Sequence, residues 1–389
     1  MHSIISKYSL LGLCTIATLS ASSQTRSNKK DGGFQFTIEK EIGASDVKNQ
    51  FKSSTCWVFS TESFLESELK RMGKADVNLS EMFVVKAGYQ LKAQNYVRMQ
   101  GHAQFAPGGE PHDVMQVLRE KGMVPQEAYA GYYPGMDKPQ HNEMDAALKG
   151  MLDEVVKLPD GKLSPRWNAA FSGALDGYMG TTPEKFTYKG KEYTPKSFGA
   201  SLGINPDDYV EITSFTHHPF YEQFVLEVPD NWNWGKVYNV PLNELEEIAD
   251  NALKNNYSIE WASDVSEKGF SFKNGVAIVP AKNWEDMSQA EKDSAFVAPS
   301  AEKTITQELR QEAFDNQSTQ DDHGMHIIGL AKDQTGKKFY LVKNSWGTEG
   351  NDLKGYFYCS APYFQYKTTC IMVHKNAIPD AIAKKLKLK

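Results

Sequence analysis

Residues 49–60 read NQFKSSTCWVFS, in which a polar turn of small residues leads into a helical pattern. The apolar side chains that follow have the spacing of one helix face, at Val58, Leu65, Leu69 and Met72. Cys56 is therefore predicted at a helix N-terminus, where backbone N–H groups and the helix dipole favour the nucleophilic thiolate. Gln50 precedes it and is placed to donate its amide to an oxyanion. The alternative for Cys56 is a small buried apolar residue.

Two downstream stretches supply the partners that a thiol nucleophile needs. Residues 322–329 read DHGMHIIG, and residues 342–347 read VKNSWG. A nucleophilic cysteine requires an imidazole, and the imidazole requires a group that orients it. Cys56, His323 and Asn344 therefore form a candidate catalytic set.

The motifs Gln-x5-Cys-Trp, His-x5-Gly and Asn-Ser-Trp-Gly, in this order, resemble those of the papain-like cysteine peptidases. Within that family, the long separation between Cys56 and His323 resembles the bleomycin hydrolase and aminopeptidase C branch. The resemblance extends from about residue 36 to about residue 379 and is weakest between about 155 and 200. It implies an α+β papain-like fold of two lobes: a helical lobe with the cysteine and a β-rich, barrel-like lobe with the histidine and asparagine, separated by a large insertion.

The resemblance also implies roles for the residues around the candidate set. His323 is the catalytic histidine, whereas His326 is expected on the opposite face of the same strand. Asn344 accepts a hydrogen bond from the imidazole and fixes its orientation, and Trp346 shields that bond from water. Gln50 and a backbone N–H hold the oxyanion.

Two further segments are candidates for the substrate cleft. Residues 107–113 read PGGEPHD, a glycine turn that enters a helix. The resemblance implies that Gly108 and Gly109 border the cleft, where glycine lets an extended substrate backbone approach. Residues 258–264 resemble the strand opposite the cysteine helix, and there Asp264 either contacts a substrate amino group or caps a turn.

The N-terminal segment has the pattern of a secretory signal peptide. Lys7 precedes an apolar run over 8–19, and small residues follow over 20–23. The run is too short to span a bilayer, which disfavours the alternative of an uncleaved anchor. Cleavage is expected after Ser23, and Cys14 is read as part of the apolar run. The protein is therefore predicted to be periplasmic or extracellular.

The composition is that of a soluble globular protein, with 40% hydrophobic and 24% charged residues among 389. The net charge is −6 and the sequence has no block of basic residues, so nothing in it indicates nucleic-acid binding. No stable membrane insertion is expected after signal removal. The length calls for more than one core. The predicted units are a signal peptide at 1–23, a helical lobe at 24–150, an insertion at 151–250 and a β-rich lobe at 251–389.

Cysteine and histidine usage bears on disulfides and metals. Cys359 and Cys370 lie in two β-prone runs and are predicted either to pair with each other in an oxidising compartment or to stay unpaired in the core. The adjacent His217 and His218 lack a spaced cysteine or carboxylate partner, so no metal site is predicted. No cofactor is expected either.

Local patterns give four more expectations. Glu66 and Lys70 have i,i+4 spacing and are predicted as a pair on the solvent side of the cysteine helix. Ser80 is predicted to cap the next helix, and residues 209–228 are predicted to form a pair of strands. The remaining candidates match no motif and are predicted to be solvated, namely His102, His112 and His141.

The predicted function is hydrolysis of peptides through Cys56, His323 and Asn344, with aminopeptidase action preferred. A secreted endopeptidase with an open cleft is the first alternative, and a non-catalytic peptide-binding protein is the second. The branch also implies a homo-hexamer and a C-terminal arm that blocks the cleft. Residues 379–389 end without the longer Pro- and Trp-bearing tail of that arm, which leaves the assembly and the cleavage mode open.

Overall fold

The computed structural model describes residues 25–132, 135–158 and 161–389. The predicted signal peptide at 1–23, including Cys14, lies outside the described residues. Within these ranges the α-helices are α1 (Cys56–Arg71), α2 (Glu81–Arg98), α3 (Pro111–Glu120), α4 (Asn142–Val156), α5 (Arg166–Met179), α6 (Pro195–Leu202), α7 (Leu242–Lys254), α8 (Gln289–Ser294), α9 (Gln307–Asp315), α10 (Ala361–Lys367) and α11 (Asp380–Lys385). None of the helices in the described part of the chain combines the length and the apolar character that crossing a bilayer requires.

The strands are β1 (Thr25–Ser27), β2 (Gln35–Glu41), β3 (Phe186–Tyr188), β4 (Lys191–Tyr193), β5 (Tyr209–Thr213), β6 (Gln223–Val225), β7 (Lys236–Asn239), β8 (Ile259–Ser263), β9 (Phe270–Ser271), β10 (Val276–Ala277), β11 (His323–Asp333), β12 (Lys338–Lys343), β13 (Tyr356–Ser360) and β14 (Thr368–His374). In the described ranges, twelve of them form one sheet in the order β6-β7-β5-β14-β8-β11-β12-β13-β10-β9, with β2 on β11 and β1 on β2. β3 and β4 form a separate hairpin. The α+β prediction is confirmed.

Helix α1 lies between two apolar cores. On one side it packs with α2 to α6 in a helical core, and on the other it contacts β8 and β11 of the sheet. Every residue from Trp57 to Leu69 is buried. The predicted start at Cys56 is confirmed, as is the capping of α2, where the hydroxyl of Ser80 accepts a hydrogen bond from the Phe83 N–H at 3.2 Å.

The prediction that Glu66 and Lys70 form a pair on a solvent side of α1 is wrong. Glu66 is only 2% exposed, and its Oε1 accepts hydrogen bonds from Lys48 Nζ at 3.1 Å and from the Leu79 N–H at 2.9 Å. Lys70 instead donates to the Ala44 carbonyl. The periodicity of one helix cannot reveal that a sheet covers its polar face.

Polar bonds join that face of α1 to the sheet. Ser60 Oγ donates to Glu260 Oε1 on β8 at 2.7 Å, and Ser63 Oγ lies 2.9 Å from His326 Nδ1 on β11. Lys343 Nζ on β12 donates to the same Ser63 hydroxyl at 2.8 Å. These bonds satisfy buried polar groups and fix the N-terminus of α1 relative to the start of β11.

The predicted insertion at 151–250 divides between the two cores. Its helices α5 and α6 pack into the helical core through Phe171, Leu175 and Phe198. Its strands β5 to β7 extend one edge of the sheet. The domain boundaries stay a prediction. The paired strands expected over 209–228 are wrong in one respect, because β7 separates β5 from β6 and pairs with both.

The alternative in which Cys359 bonds Cys370 is wrong for this fold. Cys359 is on β13 and Cys370 is on β14, and the sheet order places β12, β11 and β8 between these strands. Four strand spacings amount to about 19 Å, whereas a disulfide needs Cα atoms within about 7 Å. Both thiols are unpaired and buried. Helix α10 carries the chain away from β13, so β-prone runs that are close in sequence do not become neighbours.

A buried charge cluster ties α1 to α2 and to the segment before Cys56. Lys48 Nζ pairs with Glu66 and Glu81 and donates to the Leu79 carbonyl at 3.2 Å. Glu62 lies in the same cluster, fully buried, with no hydrogen-bond partner for either carboxyl oxygen among the described residues. Burial, followed by the charge of Glu81, raises the pKa of Glu62 well above its usual range.

We expect Lys48→Met and Glu62→Gln to change stability in opposite directions. Removing Lys48 leaves Glu66 and Glu81 buried without their cation and should lower the free energy of unfolding by about 3 kcal/mol. The pKa of Glu62 is higher in the folded state than in the unfolded chain, so on raising the pH the unfolded chain loses this proton at a lower pH than the folded protein does. The folded state therefore loses stability as the pH rises above about 4.5. Glu62→Gln removes that loss and should raise the melting temperature at pH 7 by about 2 °C or more.

Thermal unfolding of both variants between pH 4 and pH 8 checks this. The Glu62→Gln advantage should shrink towards pH 4, where the wild-type carboxyl is protonated in both states. A Lys48→Met protein as stable as the wild type, or a pH-independent effect of Glu62→Gln, would contradict the electrostatic account.

Candidate active site

The candidate nucleophile sits where α1 meets the start of β11. Cys56 is partly exposed, and its sulfur accepts hydrogen bonds from the backbone N–H groups of Gly324 and Trp57. A Cβ atom on Gly324 would lie 2.7 Å from Ser60 Oγ and 3.3 Å from the Cα of Trp57. Only glycine at this position allows the strand to approach the helix so closely, so Gly324 brings His323 beside the thiol.

The predicted partner residues lie together at the ends of β11 and β12. His323 Nε2 is 2.7 Å from Asn344 Oδ1, and the same oxygen accepts a hydrogen bond from the Ser345 N–H at 2.7 Å. With Nε2 bonded to the asparagine, Nδ1 is the nitrogen left for the cysteine. The Trp346 ring lies 4.7 Å from the His323 ring, between centroids, and is positioned to shield this bond.

Gln50 is also held next to this site. Its Oε1 accepts a hydrogen bond from Ser345 Oγ at 2.6 Å, and its backbone N–H donates to the Ser345 carbonyl at 2.8 Å. The side chain is 8% exposed. Because the carbonyl end of the amide is bonded to Ser345, the Nε2 end is the donor available to an oxyanion.

The pKa of the Cys56 thiol is raised, whereas a helix N-terminus was expected to lower it. Burial raises the pKa of the thiol to about 12; the N–H of Gly324 lowers it, and the nearby carboxyl groups of Asp230 and Asp321 raise it. Burial is also the largest influence on His323 and lowers its pKa. Both effects favour the neutral thiol and the neutral imidazole before substrate binds.

Two family models cover most of the chain. Residues 179–389 match the Peptidase C1-like family, and residues 35–166 match the family described as papain family cysteine protease. The chain belongs to the Peptidase C1-like family. This C1-like chain is a cysteine-type peptidase, as its motifs predicted.

Relatives of this C1-like peptidase are distant but cover nearly its whole length. Aminopeptidase G of Lactobacillus delbrueckii subsp. lactis is 22% identical, over 86% of this chain and 82% of its own. Aminopeptidase W of the same organism is 22% identical, over 90% and 86%. The crystal structure of PepW from Lactobacillus rhamnosis HN001 matches with a TM-score of 0.70 at 20% identity, over 90% of this chain and 85% of that chain, which shows the fold.

The glycine turn of the C1-like peptidase is covered by a loop of the sheet lobe. A Cβ atom on Gly109 would lie 3.0 Å from the Trp57 ring, and one on Gly108 would lie 1.8 Å from Asp230 Oδ2. Gly109 is therefore packed too closely for a larger residue, and Gly108 leaves the space that the Asp230 carboxylate fills. Asp230 belongs to the connection between β6 and β7, residues 226–235, which we call the covering loop.

Hydrogen bonds anchor the covering loop to the helical lobe. Asn95 Nδ2 donates to the Trp232 carbonyl at 2.7 Å, and Trp232 Nε1 donates to Asp113 Oδ2 at 2.6 Å. Asn233 Nδ2 donates to the other oxygen of Asp113 at 2.6 Å. The loop is thus fixed across the turn that was predicted to border the cleft.

Asp264 acts as a turn cap. Its Oδ1 accepts from the Ser266 N–H at 3.0 Å, and its Oδ2 accepts from the Gln320 N–H at 2.9 Å. Of the two predicted roles, these contacts favour the cap over substrate binding. Burial raises the pKa of Asp264 to about 6.

The cleft carries three acidic residues that sequence reasoning missed, Glu110, Asp230 and Asp321. Glu110 and Asp321 lie inside or next to motifs that were singled out, but nothing in those motifs gave their carboxyl groups a role. Asp230 lies in a stretch, EVPDNWNWG, that matches no pattern. What distinguishes them from ordinary surface acids is their convergence, since Asp230 and Asp321 act on the Cys56 thiol and Glu110 pairs with Asp321.

Two of the three histidines predicted to be solvated are not. His112 Nδ1 is 2.9 Å from Glu211 Oε2, and its Nε2 is 2.8 Å from Asn233 Oδ1. Burial opposes its charge, but Glu211 and other acceptors outweigh burial and raise the pKa of His112 to about 10. His141 is 5% exposed, and burial lowers its pKa to about 4. His102 is exposed, as predicted.

His217 and His218 do have a carboxylate partner, contrary to expectation. They occupy a turn after β5, where their Nε2 atoms lie 3.0 and 2.7 Å from the two oxygens of Glu227. Gln311 Nε2 donates to His217 Nδ1 at 3.1 Å, so the neutral ring carries its proton on Nε2 and donates it to Glu227. The ligand atoms of His217, His218 and Glu227 also lie within 4.8 Å of one another, as in a group that could hold a metal ion, so the absence of a metal site stays a prediction.

We expect His323→Ala to abolish turnover and His326→Ala to preserve it. The two histidines lie on the same strand and are both buried, but His326 bonds Ser63, away from the thiol. Loss of a member of the catalytic unit should lower kcat/KM on the order of 10⁴-fold, whereas His326→Ala should change it less than about tenfold in the folded fraction. Peptide hydrolysis normalised to folded protein checks this. An inactive but folded His326→Ala protein would reverse the assignment.

Proposed function

We propose that this C1-like protein is an exported cysteine peptidase that removes residues from the amino terminus of peptides. The observation that carries the peptidase site is the 2.7 Å contact between His323 Nε2 and Asn344 Oδ1 beside Cys56 at the N-terminus of α1. Cys56 supplies the thiol nucleophile, His323 the acid–base group and Asn344 the group that orients the imidazole.

In the proposed reaction, the Cys56 thiol gives its proton to His323 Nδ1 as the sulfur attacks the carbonyl carbon of the scissile bond. The resulting oxyanion accepts hydrogen bonds from Gln50 Nε2 and the Cys56 N–H, and such a donor contributes about 3 kcal/mol to the transition state. The imidazolium then protonates the leaving amine, which departs with the C-terminal part of the peptide. Water, deprotonated by His323, attacks the thioester and regenerates the thiol.

Two observations support cleavage at the amino terminus. Two relatives that match over more than four fifths of both chains are named aminopeptidases. The covering loop lies across the glycine turn, where an extended substrate would otherwise continue past the reacting residue. If the loop stops the substrate at the glycine turn, the cleft favours peptides whose amino terminus lies at that turn.

An endopeptidase is the second candidate, and one observation favours it. The C-terminal residues pack against α7, where Ile382 and Leu386 join the core of the sheet lobe and Lys385 pairs with Glu244. These residues therefore do not act as the cleft-blocking arm that the branch resemblance implies. Cleft closure depends on the covering loop instead.

We expect the protein to shorten peptides stepwise from a free amino terminus. Acetylating the terminus of a good substrate should lower kcat/KM about tenfold or more, since a hydrogen bond to a charged group is lost. Mass spectrometry of the products over time distinguishes stepwise shortening from internal fragments. Internal fragments formed equally well from free and acetylated peptides would contradict aminopeptidase action and indicate an endopeptidase.

The matched controls for this experiment are Cys56→Ala and Cys359→Ala. Cys56→Ala should abolish both hydrolysis and labelling by a thiol-directed epoxide. Cys359 is fully buried, so Cys359→Ala should keep the label and the activity. Hydrolysis by Cys56→Ala at the wild-type rate would refute the nucleophile assignment.

Export is tested at the N-terminus of the mature protein. The pattern of Lys7, an apolar run and small residues predicts cleavage after Ser23. Protein recovered from outside the cytoplasm should therefore begin at Gln24. Intact mass measurement of secreted or periplasmic material checks this, and full-length protein confined to the cytoplasm would contradict it.

A further inference from the structure

Carboxyl groups from three separate elements converge at the end of the cleft next to Cys56. Asp230 comes from the covering loop, Asp321 precedes β11, and Glu110 precedes α3. Asp230 and Asp321 both act electrostatically on the Cys56 thiol and on each other, and Asp321 lies within hydrogen-bonding reach of Glu110. The arrangement gathers carboxyl groups around the site of reaction, and burial raises the pKa of each of them.

One of these groups is buried with an unused acceptor. Glu110 is 2% exposed, and its Oε1 has no hydrogen-bond partner among the described residues. Its Oε2 receives the weak donor of the Cys370 thiol at 3.7 Å. Burial, followed by the charge of Asp321, raises the pKa of Glu110 well above its usual range, so the resting pair holds a proton. Buried carboxyl oxygens are almost always hydrogen-bonded, and a cationic donor that arrives from outside would take the place of that proton.

Lys92 is a buried cation whose charge opposes the effect of burial and lowers the pKa of Asp230, but it is not a hydrogen-bond donor to these carboxyl groups. Lys92 donates to the carbonyl oxygens of Ala106 and Pro107 at 2.9 and 3.3 Å and to that of Gly108. These three bonds use all three donors of an ammonium group. Among the described residues, no ion pair joins a lysine or arginine to Asp230, Asp321 or Glu110.

Asp230 also lies directly against the glycine turn that the family resemblance assigns to the cleft. Its carboxylate contacts the glycine turn so closely that a Cβ atom on Gly108 would lie 1.8 Å from Oδ2. Gln104 Nε2 donates to Oδ1 and fixes the side chain. A peptide backbone that passes along this turn from Cys56 meets the Asp230 carboxylate.

We propose that Asp230, with Asp321 and Glu110 behind it, binds the α-ammonium group of the substrate's amino terminus. This inference rests on the proposed aminopeptidase function and names the residues that would give it its specificity. The ligand class is a peptide with a free, protonated terminal amine. An ammonium bound there also offsets the negative field that the carboxylates place on the thiol.

The test compares a matched pair of peptides, one with a free terminus and one N-acetylated, on Asp230→Asn. Asparagine keeps the shape of the side chain and its acceptor for Gln104 but removes the charge. The ratio of kcat/KM for the free peptide to that for the acetylated peptide should fall about tenfold or more, through the free peptide. Asp321→Asn, a second variant on another element, should lower the ratio in the same direction.

The control is Glu227→Gln, which neutralises an exposed carboxylate in the covering loop and should leave the ratio unchanged. A binding readout uses the Cys56→Ala background. There the free peptide should bind more tightly than the acetylated one by calorimetry, and the added Asp230→Asn change should remove the difference.

The outcomes separate the two proposals. A wild-type protein that cleaves free and acetylated peptides equally would overturn the aminopeptidase function and this inference with it. A wild-type protein that prefers free termini, together with folded Asp230→Asn and Asp321→Asn variants that keep the full preference, would overturn only the assignment of these carboxylates.

Discussion

The structure depends on burying a helix that is polar over much of its surface. Helix α1 is covered by the helical core on one side and by the sheet on the other. Its serines and glutamates lose water on folding, which costs free energy unless each finds a partner. Ser60, Ser63 and Glu66 find theirs on Glu260, His326 and Lys48, outside the helix itself. These bonds therefore set the docking of the lobes and, with it, the position of Cys56 relative to His323.

The same burial shapes the chemistry of the cysteine. Removing the thiol from water disfavours its ionised form more than the two backbone N–H groups favour it. Carboxyl groups of Asp230 and Asp321 add to the effect. The resting site is thus organised around neutral groups, and the acidic end of the cleft matches a cationic substrate group better than a neutral peptide segment. Under the proposed binding of an ammonium group, its positive charge would favour the reactive thiolate.

The glycine turn is covered by a loop from the sheet lobe. The covering loop leaves the edge of the sheet between β6 and β7 and bonds to Asp113 and Asn95 of the helical lobe. The C-terminal residues pack against α7. In this C1-like chain, the element that covers the glycine turn is therefore a connection inside the predicted insertion. The covering loop also carries Asp230, whose carboxylate is proposed to bind the amino terminus of the substrate.

The sequence by itself determined the features that depend on local order. The N-terminus of α1 at Cys56, the Ser80 cap and the start of β11 at His323 follow from periodicity, capping residues and motif spacing, each of which acts over a few residues. Only the tertiary structure decided which partners the polar side chains have. Glu66 was predicted to be exposed to solvent and is buried. No sequence pattern singled out Asp230, whose role became visible only from its contact with Gly108 in the folded chain. Strand order likewise separated Cys359 from Cys370. Such long-range pairings leave no local pattern, because a polar residue looks the same in sequence whether water or a distant side chain satisfies it.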